Sequence, residues 1–188
     1  MSLNPSPLVS IVAPCHNEAG LIDAFMARLL PLCAALSRFR FEIVFVDDGS
    51  SDATEAVIAR LCAEHAHVKG VALSRNFGHQ RAITAGLDFC AGDYVIVMDA
   101  DLQDPPELIP NMLGKLEEGY DVVHAVRADR TVDSFCKRAT AKLFYAFMRR
   151  WVLPDLVENA ADFKGFNRRV LDALRRYPER VQFLRGLF

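Results

Sequence analysis

The chain has 188 residues, 52% apolar and 24% charged, which is enough for one well-buried domain and excludes wholesale disorder. Its net charge of −2 conceals an asymmetry: residues 1–126 hold 8 Lys/Arg against 17 Asp/Glu, and residues 127–188 hold 14 against 7. An acidic first part and a basic second part are typical of a metal-assisted site beside a surface that meets anions, although a chance imbalance of solvated side chains would look the same.

Apolar runs alternate with helical patterns from residue 8 to residue 126. The apolar runs predict strands at 8–13, 41–46, 68–73, 94–98 and 121–126. Apolar residues at helical spacing predict helices at 18–36, interrupted or kinked near Pro31, and at 53–65, 80–90 and 107–117. Strands that alternate with helices indicate right-handed βαβ units. The predicted fold class is therefore α/β, with a mostly parallel, Rossmann-like sheet flanked by helices.

A basic amphipathic helix is predicted at 134–152. Apolar residues recur at every fourth position from Phe135 to Trp151, and lysines and arginines occupy much of the remaining surface. This pattern is typical of a helix on an anionic membrane surface, and a core-packed helix with a solvated basic face fits it equally well.

The cysteines and the apolar runs indicate the compartment. Five scattered cysteines without a C-x-x-C pair fit reduced thiols of a cytosolic protein. No secretory leader is recognisable, and no uncharged apolar run approaches the ~20 residues that cross a bilayer. We therefore expect the chain as given to be soluble or peripheral.

Polar clusters follow three of the predicted strands, at residues 14–18, 47–50 and 99–101. Because the carboxyl ends of parallel strands meet at one edge of a sheet, the three clusters are expected to share one crevice. Asp99, Asp101 and Asp104 lie so close in sequence that their charges repel, and a hard divalent cation with oxygen ligands removes that repulsion. The residues therefore predict a metal–diphosphate site.

Four segments resemble the family 2 inverting glycosyltransferases of GT-A fold. They are 14–18 (Pro-Cys-His-Asn-Glu), 46–50 (Val-Asp-Asp-Gly-Ser), 74–78 (Ser-Arg-Asn-Phe-Gly) and 99–106 (Asp-Ala-Asp-Leu-Gln-Asp-Pro-Pro). More narrowly, the chain resembles the polyprenyl-phosphate branch, which includes dolichyl-phosphate mannose synthase and bacterial undecaprenyl-phosphate sugar transferases. The resemblance implies a nucleotide-sugar-binding core at 1–133. It also implies that 134–188 continues the same domain as an acceptor- and membrane-facing helical segment, without the membrane-spanning helices usual in the branch.

The resemblance also implies roles for single residues around the donor. Asp101 and Gln103 would hold Mg²⁺ or Mn²⁺, with Asp99 beside them at the metal or the nucleotide, whereas Asp104 looks more like a helix cap. The donor nucleotide would contact eight residues: Pro14, His16, Glu18, Asp47, Asp48, Arg75, Asp99 and Ala100. Structural alternatives stay open, namely helix capping by the aspartates, a turn held by Asn17 and Glu18, and a loop salt bridge at Arg75. His16 stands where the family usually has tyrosine.

The acceptor side is implied by residues in the second part of the chain. A lipid phosphate is already ionised near neutral pH and needs cations more than a base. Arg127 is the candidate, with Arg130 and Lys137 as helpers or as solvated charges. Asp162 stands at the family's third acidic position, followed by Lys164 where arginine is usual. It would position or polarise the acceptor, or be purely structural. With Asp101, Asp162 and Arg127 form the predicted catalytic set.

The expected function is inverting transfer of a sugar from a nucleoside-diphosphate sugar to polyprenyl (undecaprenyl) phosphate at the cytosolic face of the inner membrane. The expected partners are these two substrates and an anionic membrane surface, with no nucleic acid; a homo-oligomer stays open. Two alternatives also stay open. One is transfer to a saccharide hydroxyl in capsule or lipopolysaccharide assembly, and the other is a module that binds sugar nucleotides without turnover.

Overall fold

Six strands and five helices make up the part of the chain that the computed structural model describes, residues 6–126 and 160–176. The strands are β1 (Leu8–Cys15), β2 (Arg40–Asp47), β3 (Val68–Ala72), β4 (Tyr94–Val97), β5 (Val122–Val126) and β6 (Ala160–Asn167). The helices are α1 (Ile22–Ala35), α2 (Thr54–Glu64), α3 (His79–Phe89), α4 (Ile109–Glu117) and α5 (Arg168–Arg176), with a 3-10 turn at Pro106–Leu108 before α4. Within these residues, no helix combines the length and apolar character that spanning a membrane requires.

The strands form one sheet in the order β3-β2-β1-β4-β6-β5. β1 pairs in parallel with β2 and β4, and β2 pairs in parallel with β3. β6 is antiparallel to both of its neighbours, β4 and β5. The predicted α/β class with a mostly parallel sheet is confirmed. The polar clusters that follow β1, β2 and β4 consequently lie at the same edge of three adjacent strands.

Helices cover the sheet on both faces, and each face has its own apolar core. On one face, α1, α2 and α4 bury Phe25, Phe45 and Ile96. On the other face, α3 and α5 pack on β1, β2 and β4. Gly86 lets α3 approach the sheet closely, because a Cβ there would overlap Val12 Cγ1. This close contact fixes the position of α3, whose first residue lies at the carboxyl edge.

Several predicted boundaries were wrong, and one strand was missed. The helix predicted at 18–36 starts only at Ile22, and it continues through Pro31 without interruption. The helix predicted at 107–117 divides into the 3-10 turn and α4. β6 was not predicted, because Lys164 and Gly165 break its apolar pattern. In the sheet, Lys164 pairs with Val97 of β4 and has only 1% of its surface exposed.

A buried polar cluster ties the opposite edge of the sheet to the turn between α3 and β4. Glu42 is only 6% exposed, and its Oε1 accepts hydrogen bonds from the Ser10 hydroxyl and the Ala91 amide, both at 2.5 Å. Its Oε2 accepts a hydrogen bond from Lys69 Nζ at 2.6 Å. Arg175 of α5 donates to the carbonyl oxygens at the end of α3, including that of Cys90 at 2.6 Å. The turn is therefore held from two sides.

Candidate active site

A cavity of about 300 Å³ opens at the carboxyl ends of β1, β2 and β4, where α3 begins. Seven of the residues predicted to form the site line it: Pro14, His16, Glu18, Asp48, Asp99, Ala100 and Asp101. Asn76, from the loop after β3, lines it as well. Loops distant in sequence meet here because parallel strands bring their carboxyl ends to one edge.

Residues that follow β1 and β2 hold His16 by both of its ring nitrogens. His16 Nδ1 lies 3.0 Å from the Asp48 carbonyl oxygen, which can only accept, so the proton is on Nδ1. Nε2 then accepts a hydrogen bond from the Asn17 side-chain amide at 3.2 Å. Asn17 has a φ of 57° and accepts the Ser51 amide hydrogen at 2.8 Å. The ring edge is therefore used by the protein, and what His16 can offer a ligand is the face of its ring.

Asp48 joins the end of β2 to the loop that starts α3. Its carboxylate oxygens accept hydrogen bonds from the Phe77 amide at 2.7 Å and the Gly78 amide at 2.9 Å. Gly49, at φ +61°, lies against the Arg75 backbone so closely that any Cβ would overlap it. Two loops of the cavity wall are thus clamped together, which fixes where α3 begins.

Two residues predicted to contact the nucleotide do not line the cavity. Asp47 is 3% exposed, and its Oδ1 accepts the Ser50 amide hydrogen at 3.0 Å, which closes the turn after β2. Arg75 places its guanidinium over the Phe77 ring, 4.6 Å from the centroid. The structure therefore gives Asp47 a turn-forming contact and Arg75 a cation–π contact within its own loop.

The acidic turn after β4 has an unusual backbone. Asp101 Oδ1 accepts the Gln103 amide hydrogen at 2.9 Å. Between them, Leu102 has a φ of 64°, a left-handed conformation that is uncommon for a bulky residue, and its side chain packs against the core of the face that α1, α2 and α4 cover. The Gln103 side chain is exposed and does not line the cavity, and Asp104 is buried. The turn holds Asp101 on the cavity wall.

The charges of the cavity act on one another. Burial and the negative charges of Asp101 and Asp52 raise the pKa of the Glu18 carboxyl, and His16 opposes the shift. Burial, followed by the charges of Glu18, Asp47 and Asp99, raises the pKa of the Cys15 thiol. The cavity therefore has a negative potential, and Cys15 stays a thiol at neutral pH. A cation entering the cavity would relieve the repulsion between Glu18 and Asp101.

The donor atoms on the wall suit a divalent cation. Carboxylate oxygens are the ligands that Mg²⁺ prefers, and Asp99 and Asp101 present them together. Among residues 6–126 and 160–176, no three His, Cys, Asp or Glu side chains converge into a complete metal site. Mg²⁺ is usually held by one or two carboxylates together with substrate phosphates, so an aspartate pair is consistent with it.

The predicted acceptor residues lie mostly beyond the described part of the chain. Arg127, Arg130, Lys137 and the amphipathic helix at 134–152 lie outside it. Asp162 lies in β6, the strand next to β4. β6 therefore runs beside the strand that delivers Asp99.

Sequence reasoning missed two polar residues of the wall, Cys15 and His79. His79 Nε2 lies 3.5 Å from Asp99 Oδ1. The prediction considered strand ends and overlooked the first turn of the helix after β3. A signal was present, because a polar residue directly after Gly78, at the start of a helix, points to the same edge of the sheet.

The architecture and the acidic cavity define the class of protein. A mostly parallel sheet between helices, with carboxylates after its fourth strand, is that of a GT-A glycosyltransferase fold. The chain belongs to glycosyltransferase family 2, since the family model described as Glycosyl transferase family 2 matches residues 10–175. The expected family and the expected enzyme class are confirmed.

Curated relatives agree with this assignment, and a solved structure shares the fold. The chain is 40% identical over 179 residues to the bactoprenol glucosyl transferase of Shigella phage SfV, covering 95% of this chain and 58% of that protein. It is 36% identical over 181 residues to the undecaprenyl-phosphate 4-deoxy-4-formamido-L-arabinose transferase of Klebsiella pneumoniae, covering 96% and 55%. The mannosyltransferase PcManGT from Pyrobaculum calidifontis, solved with GDP-Man and Mn²⁺, superimposes with a TM-score of 0.64 at 23% identity, covering 92% of this chain and 48% of that one. The chain thus spans little more than half the length of the curated relatives.

Proposed function

We propose that this chain transfers a sugar, with inversion and with the help of Mg²⁺ or Mn²⁺, from a nucleoside-diphosphate sugar to a polyprenyl phosphate at the cytosolic face of the inner membrane. One observation carries the proposal. Glu18, Asp48, Asp99 and Asp101 line a single cavity, and no Lys or Arg is among the described residues of its wall. A diphosphate would meet four carboxylates there, so its binding favours a cation that comes with it.

The donor half of the proposal uses the residues on the wall. Asp99 and Asp101, with Gln103, would hold the divalent cation, which when bound stabilises the charge that grows on the departing diphosphate. The Gln103 side chain is exposed and would have to turn toward the cavity to reach the cation. His16 would offer its ring face to the base, and Pro14, Glu18, Asp48 and Ala100 would enclose the nucleoside. The nucleotide sugar and Mn²⁺ bound to PcManGT support this half.

The acceptor half is supported by the relatives and by chemistry. Two relatives, 40% and 36% identical to this chain, are named for different sugars, while both names refer to polyprenyl carriers. The proposal therefore specifies the carrier and leaves the sugar to experiment. An ionised phosphate oxygen attacks without a strong base, so Arg127 would draw the phosphate to the site, and Asp162 would position it.

A transfer assay tests the proposal. The purified chain would be incubated with radiolabelled UDP- and GDP-sugars, a short-chain polyprenyl phosphate, and either MnCl₂, MgCl₂ or EDTA. We expect labelled lipid only with metal, and about 100-fold or more slower transfer by Asp101→Asn. Asp88→Asn, an exposed carboxylate on α3 outside the cavity, is the matched control and should retain activity.

The proposed acceptor and the proposed metal dependence can be refuted separately. Equal transfer to a saccharide hydroxyl and to polyprenyl phosphate would overturn the proposed acceptor. Transfer that persists in EDTA would overturn the metal. Tight binding of a nucleoside diphosphate, without product from any donor or acceptor, would identify a binding module.

A further inference from the structure

His79 is a cavity residue to which the proposed function gives no role. It is the first residue of α3, and its Nε2 lies 3.5 Å from Asp99 Oδ1. Both side chains are partly accessible, 38% for His79 and 33% for Asp99. An imidazole therefore faces one of the two carboxylates that would hold the metal.

Rigid elements bring the two side chains together. Asp99 follows β4, an interior strand of the sheet. His79 follows Gly78, whose amide is bound by Asp48, and α3 is pressed onto β1 and β2 at Gly86. A close-packed helix and a central strand cannot easily move apart, so the contact between His79 and Asp99 is built into the fold.

A carboxylate has two oxygens, and an imidazole beside one of them sets the direction of the other. Partners that orient metal-binding side chains in this way typically contribute 10–100-fold to metal affinity or activity. The distance of 3.5 Å is at the outer limit of hydrogen bonding, as is common for active-site contacts in ligand-free enzymes, which tighten only in the substrate complex. We propose that His79 is a positioning residue, which orients Asp99 for the divalent cation of the nucleotide. This inference rests on the proposed function.

The test separates positioning from direct contact with the nucleotide. Calorimetry would measure binding of UDP and of GDP, each with Mn²⁺, to the 188-residue chain. His79→Phe keeps a ring and removes its N–H groups, whereas His79→Gln restores a donor. Both would be repeated with Asp99→Asn, and exposed His67→Phe is the control. Thermal melting of each variant checks its folding.

We expect His79→Phe to weaken Mn²⁺-dependent nucleotide binding 10–100-fold, and His79→Gln to recover most of the loss. If His79 acts through Asp99, then His79→Phe should change binding by less than about 2-fold once Asp99→Asn is present. The same fold-loss in both backgrounds would overturn positioning and indicate direct contact. Unchanged binding by His79→Phe would overturn this inference alone. A wild-type chain that binds neither nucleotide with Mn²⁺ would overturn the proposed donor site as well.

Discussion

Replacing Glu42 by glutamine should destabilise the fold in a pH-dependent way. Burial alone would raise the pKa of Glu42, but hydrogen bonds from Lys69, Ser10 and the Ala91 amide outweigh it and hold this pKa below the ordinary value of 4.5. Glutamine can still accept from Ser10 and Ala91 through its oxygen. Its NH₂ group must then face the Lys69 ammonium, at a position where the carboxylate accepts a bond of 2.6 Å.

The expected loss follows from that single exchange. A hydrogen bond to a charged group contributes about 1.5–3 kcal/mol, and half-exposed Lys69 can recover part of its share from water. We therefore expect Glu42→Gln to lower the free energy of unfolding by about 2 kcal/mol at pH 7. Because the folded pKa of Glu42 is depressed, this contribution is complete above pH 4.5 and is lost as the pH falls through the folded value.

Urea unfolding of the wild type and of Glu42→Gln at several pH values between 7 and 3 would measure the difference. Glu55→Gln, an exposed carboxylate on α2, is the matched control and should change stability by less than about 0.5 kcal/mol. Two results would refute the reasoning: a difference below 0.5 kcal/mol at pH 7, or a difference that stays constant as the pH falls below 4.5.

Three further substitutions test other contacts. Asp48→Asn turns an NH₂ group toward one of the two backbone amides, of Phe77 and Gly78, that now donate to the carboxylate. We expect the free energy of unfolding in urea to fall by about 1–3 kcal/mol and Mn²⁺–UDP binding to weaken. Unaltered stability would contradict a structural role for the contact between Asp48 and this loop. Gly86→Ala places a Cβ against the side chains of Val12 and Val46, so the free energy of unfolding in urea should fall by about 1–3 kcal/mol. A stabilised variant would show that α3 can move away from the sheet. Arg175→Ala removes donors to the carbonyls at the end of α3 and should cost about 1–2 kcal/mol, seen as a lower Tm; an unchanged Tm would mean that water replaces the arginine.

The central strands were predictable because they are buried on both faces. The centres of β1, β2 and β4 are short apolar runs, at 11–14, 43–46 and 94–97, and the structure buries nearly every residue in them. β6 was not predictable in this way. Lys164 reads as a surface residue, and its burial depends on strand partners distant in sequence, Val97 and His124.

The site was predictable to the extent that it follows from strand ends. Pro14, His16 and Asp101 line the cavity because the strands before them are neighbours in the sheet. Sequence reasoning named both Asp47 and Asp48 as nucleotide contacts, Asp48 first, because both follow β2 directly, and only Asp48 lines the cavity. The choice depends on the amides of the loop after β3, whose position only the folded chain determines.

The leucine within the acidic turn connects the proposed metal site to the packing of the core. Leu102 has a left-handed backbone conformation that is uncommon for a bulky residue, and its side chain packs against the apolar core layer on the face covered by α1, α2 and α4. Any reshaping of that layer should therefore tilt the neighbouring aspartate. In a saturation-mutagenesis screen for sugar transfer, deleterious changes should accordingly be frequent in this layer, at positions that never meet a substrate and in variants that still accumulate as folded protein.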